Sequence, residues 1–255
     1  MPVGDIYPAL TPDVYPTLYG DGAPVPWPTQ LMAGVEQCYI LRKPFITVNG
    51  SGKITAAQDL SGKGHHLAFS PNAPDYVAGG VGGHGCAELS SNEKLTVSGL
   101  PYVLGDSMDV YMVMQFNDTL PFATTEAFWS FDGQHKLVSV GTTANFQSDM
   151  NSVNNGYENL ATSGGLTLNP LLVASTMYGG EHNVFVNGVK TAGGTSHGGI
   201  HTAEGSFTIG DLGSVTHTYR LAELVIVRNV GNDADRLAYQ NQRVAKEYPS
   251  ISLAA

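Results

Sequence analysis

The sequence predicts an all-β protein: an antiparallel β-sandwich preceded by an extended arm and followed by one short helix. Apolar and polar residues alternate in short runs bounded by Gly, Asn, Asp, Ser and Pro, which is the period of a half-buried strand. Helical spacing occurs once, near the C-terminus. Strand and helix signals do not alternate, which argues against a parallel sheet built from βαβ units.

The arm is taken as residues 1–35 and the sandwich as residues 36–255. Half of the 14 prolines lie in the arm: Pro2, Pro8, Pro12, Pro16, Pro24, Pro26 and Pro28. Between them sit Tyr7, Tyr15, Tyr19 and Trp27, with Asp5, Asp13 and Asp21 as charges. Proline fixes φ and drives its predecessor to extended backbone, so no helix is expected here. Large rings on a stiff, extended chain are how recognition segments present themselves. Tyr7, Tyr15, Tyr19 and Trp27 are therefore the candidate docking residues for a partner, and packing on the chain's own domain is the competing reading.

The strands follow in order. Residues 107–116 place Met108, Val110, Met112, Met114 and Phe116 on one face. Residues 171–178 are apolar on both faces, as a central strand requires. Within residues 182–190, Asn187-Gly188 marks a type I′ hairpin, whose two central positions both need positive φ. Residues 206–210 and 219–227 continue the series. Asn232 or Asp233 caps the helix; Leu237, Val244 and Tyr248 recur along it, and Pro249 ends it. The Asn-, Gly- and Ser-rich residues 145–165 read as a long surface excursion that lines a rim.

Composition narrows the function. Charged residues are 13% of the 255, about half the ~25% usual in soluble proteins. A net charge of −10 without a Lys/Arg cluster excludes nucleic acid and anionic membrane as partners. No apolar run approaches the roughly 20 residues of a membrane-spanning helix. The first Lys or Arg is Arg42, so the basic leader of an export signal is not expected. Cys38 and Cys86 form no C-x-x-C pair; buried free thiols are the favoured reading, with a bridge between them left open.

Several segments, taken in order, point to a family. Asp59-Leu60-Ser61-Gly62-Lys63-Gly64-His65-His66 resembles the D-x-S-G-x-G-x-H turn of laminin-G-like, concanavalin A-like sandwich domains. Gly85-Cys86-Ala87-Glu88-Leu89 with Leu95 is similar to the family's next strand, and Val184-Phe185-Val186-Asn187-Gly188 to its "lYVNG" hairpin. Phe207-Thr208-Ile209-Gly210 and residues 221–227 resemble its last two strands. The usual Trp before the D-x-S-G turn is replaced by Ala57-Gln58, and no acidic pair is placed for the calcium site of some members. The resemblance covers roughly residues 37–250. It implies a jelly-roll sandwich that binds glycans or proteins, and it implies no chemistry by itself.

Catalytic patterns were weighed against that background. The E-x-D-x-E strand of same-fold glucanases does not occur, and Glu223 is alone on its strand. Gly80-Val81-Gly82-Gly83-His84-Gly85 matches G-x-G-x-x-G, but a strand and turn follow where a helix is needed. Gly194-Thr195-Ser196-His197-Gly198 matches G-x-S-x-G, but it falls in a Gly-rich stretch after a hairpin. His65, His66, His84, His197 and His201 show no zinc spacing, so no metal ligand is assigned. Asn117-Asp118-Thr119 is a formal glycosylation sequon that carries no weight without an export signal. Trp129 and Asp132 are the candidate glycan-binding residues, a ring to stack on a pyranose and a carboxylate for its hydroxyls. An ordinary core strand is the stronger reading of Trp129.

The expectation is therefore a non-enzymatic virion surface protein of a bacteriophage: a capsid decoration or head-fibre protein, or a tail adhesin. Residues 1–35 dock on other virion proteins, and the sandwich faces outward toward host cell-surface glycans. No cofactor is required, and calcium is left open. Analogy with decoration proteins adds a homo-oligomer. The alternative is a carbohydrate-binding module of a bacterial surface or extracellular protein, and a polysaccharide-acting enzyme ranks below both.

Overall fold

The computed structural model describes residues 25–68, 72–90, 93–100, 102, 106–117, 120, 127–131, 135–139, 143–152, 156–177, 181–196, 205–210 and 218–254. The chain enters through a one-turn helix α1 (Pro28–Leu31) and strand β1 (Val35–Ile40). Then come β2 (Ile46–Val48), β3 (Ile54–Ala57), β4 (Leu67–Ala68), β5 (Asp75–Val81), β6 (His84–Leu89) and β7 (Lys94–Leu100). The middle of the chain supplies β8 (Met108–Phe116), β9 (Ala127–Phe131), β10 (His135–Ser139), β11 (Asn145–Ser152) and β12 (Gly156–Gly165). The last strands are β13 (Leu171–Thr176), β14 (Glu181–Val186), β15 (Val189–Ser196), β16 (Gly205–Gly210) and β17 (Tyr219–Arg228). A C-terminal helix closes the fold as α2 (Asp233–Ala238), a π-helical stretch Tyr239–Val244, and α3 (Ala245–Glu247).

The described strands form two antiparallel sheets. One runs β15-β14-β13-β8-β17-β6-β5, with β1 also paired to β17; the other runs β12-β11-β10-β9-β16-β7-β4-β3-β2. Strand β17 is long enough to pair with β6 through Tyr219–Leu221 and with β1 from Glu223 to Val227. This is the antiparallel jelly-roll β-sandwich that the sequence predicts. The β2–β3 hairpin is tied to β5 across the sandwich edge, through Ile54 N–H to Pro74 O at 2.8 Å and Tyr76 N–H to Gly52 O at 2.9 Å. Such links occupy edge groups that would otherwise invite pairing with another chain.

Three layers follow from side-chain alternation. On β8, Met108, Val110, Met112, Met114 and Phe116 enter the core between the sheets, as their spacing predicts. Tyr111 and Val113, on the opposite face, join a second apolar cluster with Leu172, Ala174, Phe185, Val225, Tyr239, Val244 and Tyr248. The C-terminal helix thus covers the outer face of the eight-stranded sheet, and this explains why β13 is apolar on both sides. Asn187 and Gly188 have φ of 50° and 86°, as a type I′ turn demands. A Cβ on Gly188 would also lie 2.5 Å from the Gln240 side chain, so the position requires glycine twice over.

Three expectations are corrected. Residues 28–31 form a helical turn inside the proline-rich segment, because Pro28 occupies the first helical position, where its missing N–H costs nothing. Residues 145–165 are mostly the β11–β12 hairpin rather than a loop. Leu237 does not share the buried helix face but is 40% exposed. The π-helical stretch re-phases the helix, so that Arg236, Tyr239, Gln240, Arg243, Glu247 and Tyr248 point into the body. Among the described residues, no helix is long and apolar enough to cross a membrane.

Candidate functional site

The motifs shared with the sandwich family prove to be internal fastenings. Asp59, 4% exposed, accepts from Cys38 N–H at 3.0 Å and Ser61 N–H at 2.9 Å on one oxygen. Its other oxygen accepts from Ser61 Oγ at 2.7 Å and His65 N–H at 3.0 Å, so the D-x-S-G turn is knotted to β1. Glu223, fully buried, receives Arg243 in a fork, Nε to Oε1 at 2.6 Å and Nη2 to Oε2 at 2.7 Å. Tyr239 Oη donates to the same carboxylate at 2.9 Å, and burial next to that charge pushes its phenol far above the usual range. Sequence reasoning left Glu223 alone because its partner lies 20 residues away on a helix face that looked polar and exposed.

Trp27 is held by the same cluster. Arg243 Nη1 donates to Pro26 O at 3.1 Å, its guanidinium lies 5.5 Å from the Trp27 ring, and Trp27 meets Phe45 edge-on at 5.6 Å. This candidate docking residue therefore packs on its own domain. Tyr7, Tyr15 and Tyr19 lie outside the described residues.

Trp129 is corrected as a glycan-binding residue: it is 1% exposed and stacked on Phe207 at 5.6 Å. A register shift between β9 and β10 leaves Phe128 as an extra residue, and both Phe128 and Trp129 join the core. Asp132 lies outside the described residues. The G-x-G-x-x-G stretch is the β5–β6 hairpin, and Gly194 to Ser196 continue strand β15 rather than forming a nucleophile elbow. Cys38 and Cys86 are free and buried; burial raises both thiols, Cys86 to about 11, so neither is a reactive thiolate. Among the described residues, no group of three or more His, Cys, Asp or Glu side chains is placed to hold a metal ion.

The outer face of the nine-stranded sheet has a different character. Leu95, Val97, Phe207, Ile209, Trp129, Phe131, Leu137 and Phe146 point into the core, so the alternate positions point out. Strand pairing aligns Thr96, Thr208, Ser130, Lys136 and Asp149 in one row across β7, β16, β9, β10 and β11. At about 4.8 Å per strand the row spans roughly 19 Å. Thr96 and Thr208 hydroxyls meet at 3.3 Å, Lys136 Nζ lies 3.5 Å from Asp149 Oδ2, and Gln147 Nε2 donates to Asp149 Oδ1 at 2.5 Å. Thr96, Thr208, Lys136 and Gln147 are half-buried, with Ser130 and Asp149 buried among them. Hydroxyl, ammonium, amide and carboxylate groups at strand spacing form a hydrogen-bonding surface with one balanced charge pair. No sequence motif announces it, since its members come from five strands.

No family profile matches the sequence, and no curated protein does. Solved structures share the fold. The binding domain of Paraclostridial mosquitocidal protein 1 superposes with a TM-score of 0.62 at 14% identity, covering 83% of this chain and 52% of that one. The binding domain of botulinum neurotoxin DC, in complex with SialylT, gives 0.55 at 11% identity over 83% of this chain and 52% of that one. A Trypanosoma rangeli sialidase gives 0.58 at 13% identity over 94% of this chain and 36% of that one. The chain spans about half the length of the two toxin binding domains. At such identities the likeness establishes the β-sandwich fold.

Proposed function

We propose that this chain is a non-enzymatic glycan-binding module of a virion surface, with the polar outer face of the nine-stranded sheet as its binding surface. The observation that carries the reading is the row Thr96–Thr208–Ser130–Lys136–Asp149, whose groups match the alternating donors and acceptors of a carbohydrate. The fold likeness to toxin binding domains, one of them in complex with SialylT, supports it. Asp149 is engaged by Lys136 and Gln147, whereas glycosidases of the usual kinds need two carboxylates at work, so the reading is of binding without turnover. The arm, with Tyr7, Tyr15 and Tyr19 on a proline-stiffened chain, is the proposed attachment to other virion proteins, on a bacteriophage capsid or tail. The same sandwich would serve a bacterial surface or extracellular carbohydrate-binding module, and the arm separates the two readings.

The test compares residues 1–255 with residues 25–255, a cut chosen because Pro26 and Trp27 are built into the body. On a glycan array, with and without calcium, both are expected to bind the same glycans. Only the longer chain is expected to dock on particles. Absence of glycan binding by both would overturn the module reading, and equal docking by both would overturn the arm's role.

A further inference from the structure

We infer a second ligand site, inside one end of the sandwich between the two sheets, that takes the vicinal hydroxyls of a small uncharged polyol. It is carried by Gln37 and Tyr102. Both are fully buried, and Gln37 Oε1, Gln37 Nε2 and Tyr102 Oη have no hydrogen-bond partner within the protein. Leaving such groups unmet costs about 1–3 kcal/mol each, so a native fold that keeps them has something to bond to them.

The geometry brings them to one place. Gln37 pairs with Ile226 and Tyr39 with Leu224, and Ile226, Tyr39 and Leu224 all belong to the core between the sheets, so Gln37 points there too. A bulge between Val35 and Gln37 adds Glu36 as an extra residue, and bulges of this kind re-aim side chains. Glu36 Oε1 meets His65 Nε2 at 3.1 Å, and Tyr39 Oη donates to His65 O. From the other side Arg228 lies 5.3 Å over the Tyr102 ring while its Nε donates to Asp106 Oδ2 at 2.7 Å. Tyr102 is raised well above the usual phenol range by burial first and by the nearby Glu36 carboxylate next, which places Glu36 close to it.

The chemistry of the ligand follows from what is already paired. An anion would face Glu36 and Asp106, and a cation would face Arg228 and leave Gln37 Nε2 unmatched. A hydroxyl both donates and accepts, so two adjacent hydroxyls satisfy the Gln37 amide edge while a third reaches Tyr102 Oη. Glu36 and Asp106 are nearly buried and the Arg228 side chain is 22% exposed, which sets this end as the way in. The site is independent of the polar face of the nine-stranded sheet.

The experiment titrates the full chain with glycerol, myo-inositol and glucose at millimolar concentration, read by ligand-observed NMR and calorimetry. Low concentrations avoid the general stabilisation that sugars give by exclusion from protein surfaces. Saturable binding of at least one polyol is expected, weakened tenfold or more in both Gln37→Leu and Tyr102→Phe. Each variant also stands if the other fails to fold. No saturable binding, or binding unchanged in the variants, would overturn the site and leave resident water as the partner of these groups. Glycan-array binding that persists in that event would leave the proposed function intact.

Discussion

On the outer face of the eight-stranded sheet, Tyr111, Val113, Leu172, Ala174 and Phe185 lie beneath the C-terminal helix. On the outer face of the nine-stranded sheet, the outward positions are Thr96, Thr208, Ser130, Lys136 and Asp149. Both sheets obey the same two-residue alternation. Each of these faces carries a cation–carboxylate pair, and the pairs differ in the way the faces differ. Arg243 and Glu223 are 2% and 0% exposed, joined by two hydrogen bonds of 2.6 and 2.7 Å and shared with Tyr239. Lys136 is 31% exposed and meets Asp149 at a single 3.5 Å contact. A covered face can keep a charge only by satisfying it fully, whereas an uncovered face leaves polar groups with bonding capacity for a ligand.

The largest effect should come from the covered face. Arg243→Ala would strand Glu223 as a buried charge and release Pro26 and Trp27, at a cost of about 3–5 kcal/mol. Denaturant unfolding would show it as a lower midpoint, and the double change Glu223→Gln with Arg243→Met should recover much of the loss, since no buried charge then remains. A cost of Arg243→Ala below about 1 kcal/mol would place this pair in the class of exposed pairs and dissolve the contrast between the faces.

Asp109 sharpens the same contrast from within the covered face. It is 2% exposed, Met177 N–H donates to its Oδ1 at 2.6 Å, and its Oδ2 lies where a Cβ on Gly231 would fall, 1.7 Å away. Burial raises its carboxyl to about 7, with the Met177 bond opposing the shift. The folded chain therefore keeps this proton longer than the unfolded chain, whose carboxyl titrates near 4. Stability contributed by the protonated form is full below about pH 4 and falls as pH rises toward 7. Asp109→Asn should raise the unfolding free energy by about 1–3 kcal/mol at pH 8 and change it little at pH 4. A variant that is no more stable than the parent at pH 8 would mean that the carboxylate has a better environment than this one.

What the sequence discloses and what it withholds divide along the same line. The β8 alternation, the two-faced apolar run of β13 and the Asn187-Gly188 turn are local patterns, readable because each is set by neighbours within a strand. Leu237 was misread because helical spacing assumes 3.6 residues per turn, and the π-helical stretch Tyr239–Val244 breaks that period. Trp129 was open to two readings because a bulge hides which face a ring takes. The polar row was not legible, since its five members lie on strands far apart in the chain and are aligned only by pairing.

The smallest expected effect falls on that row, and its smallness is informative. Lys136→Met keeps most of the side chain's apolar stem and removes only the ammonium, leaving Asp149 with Gln147 Nε2. Half-exposed pairs of this kind contribute about 0–1 kcal/mol, so the unfolding midpoint should move little. Glycan binding should nevertheless weaken several-fold, because the ammonium stands mid-row where a ligand's oxygens would bond to it. The two readouts must separate for the face to be a binding surface. A variant that loses stability as Arg243→Ala does would make Lys136 another internal fastening. One that keeps both stability and full glycan binding would move the site away from the centre of this row.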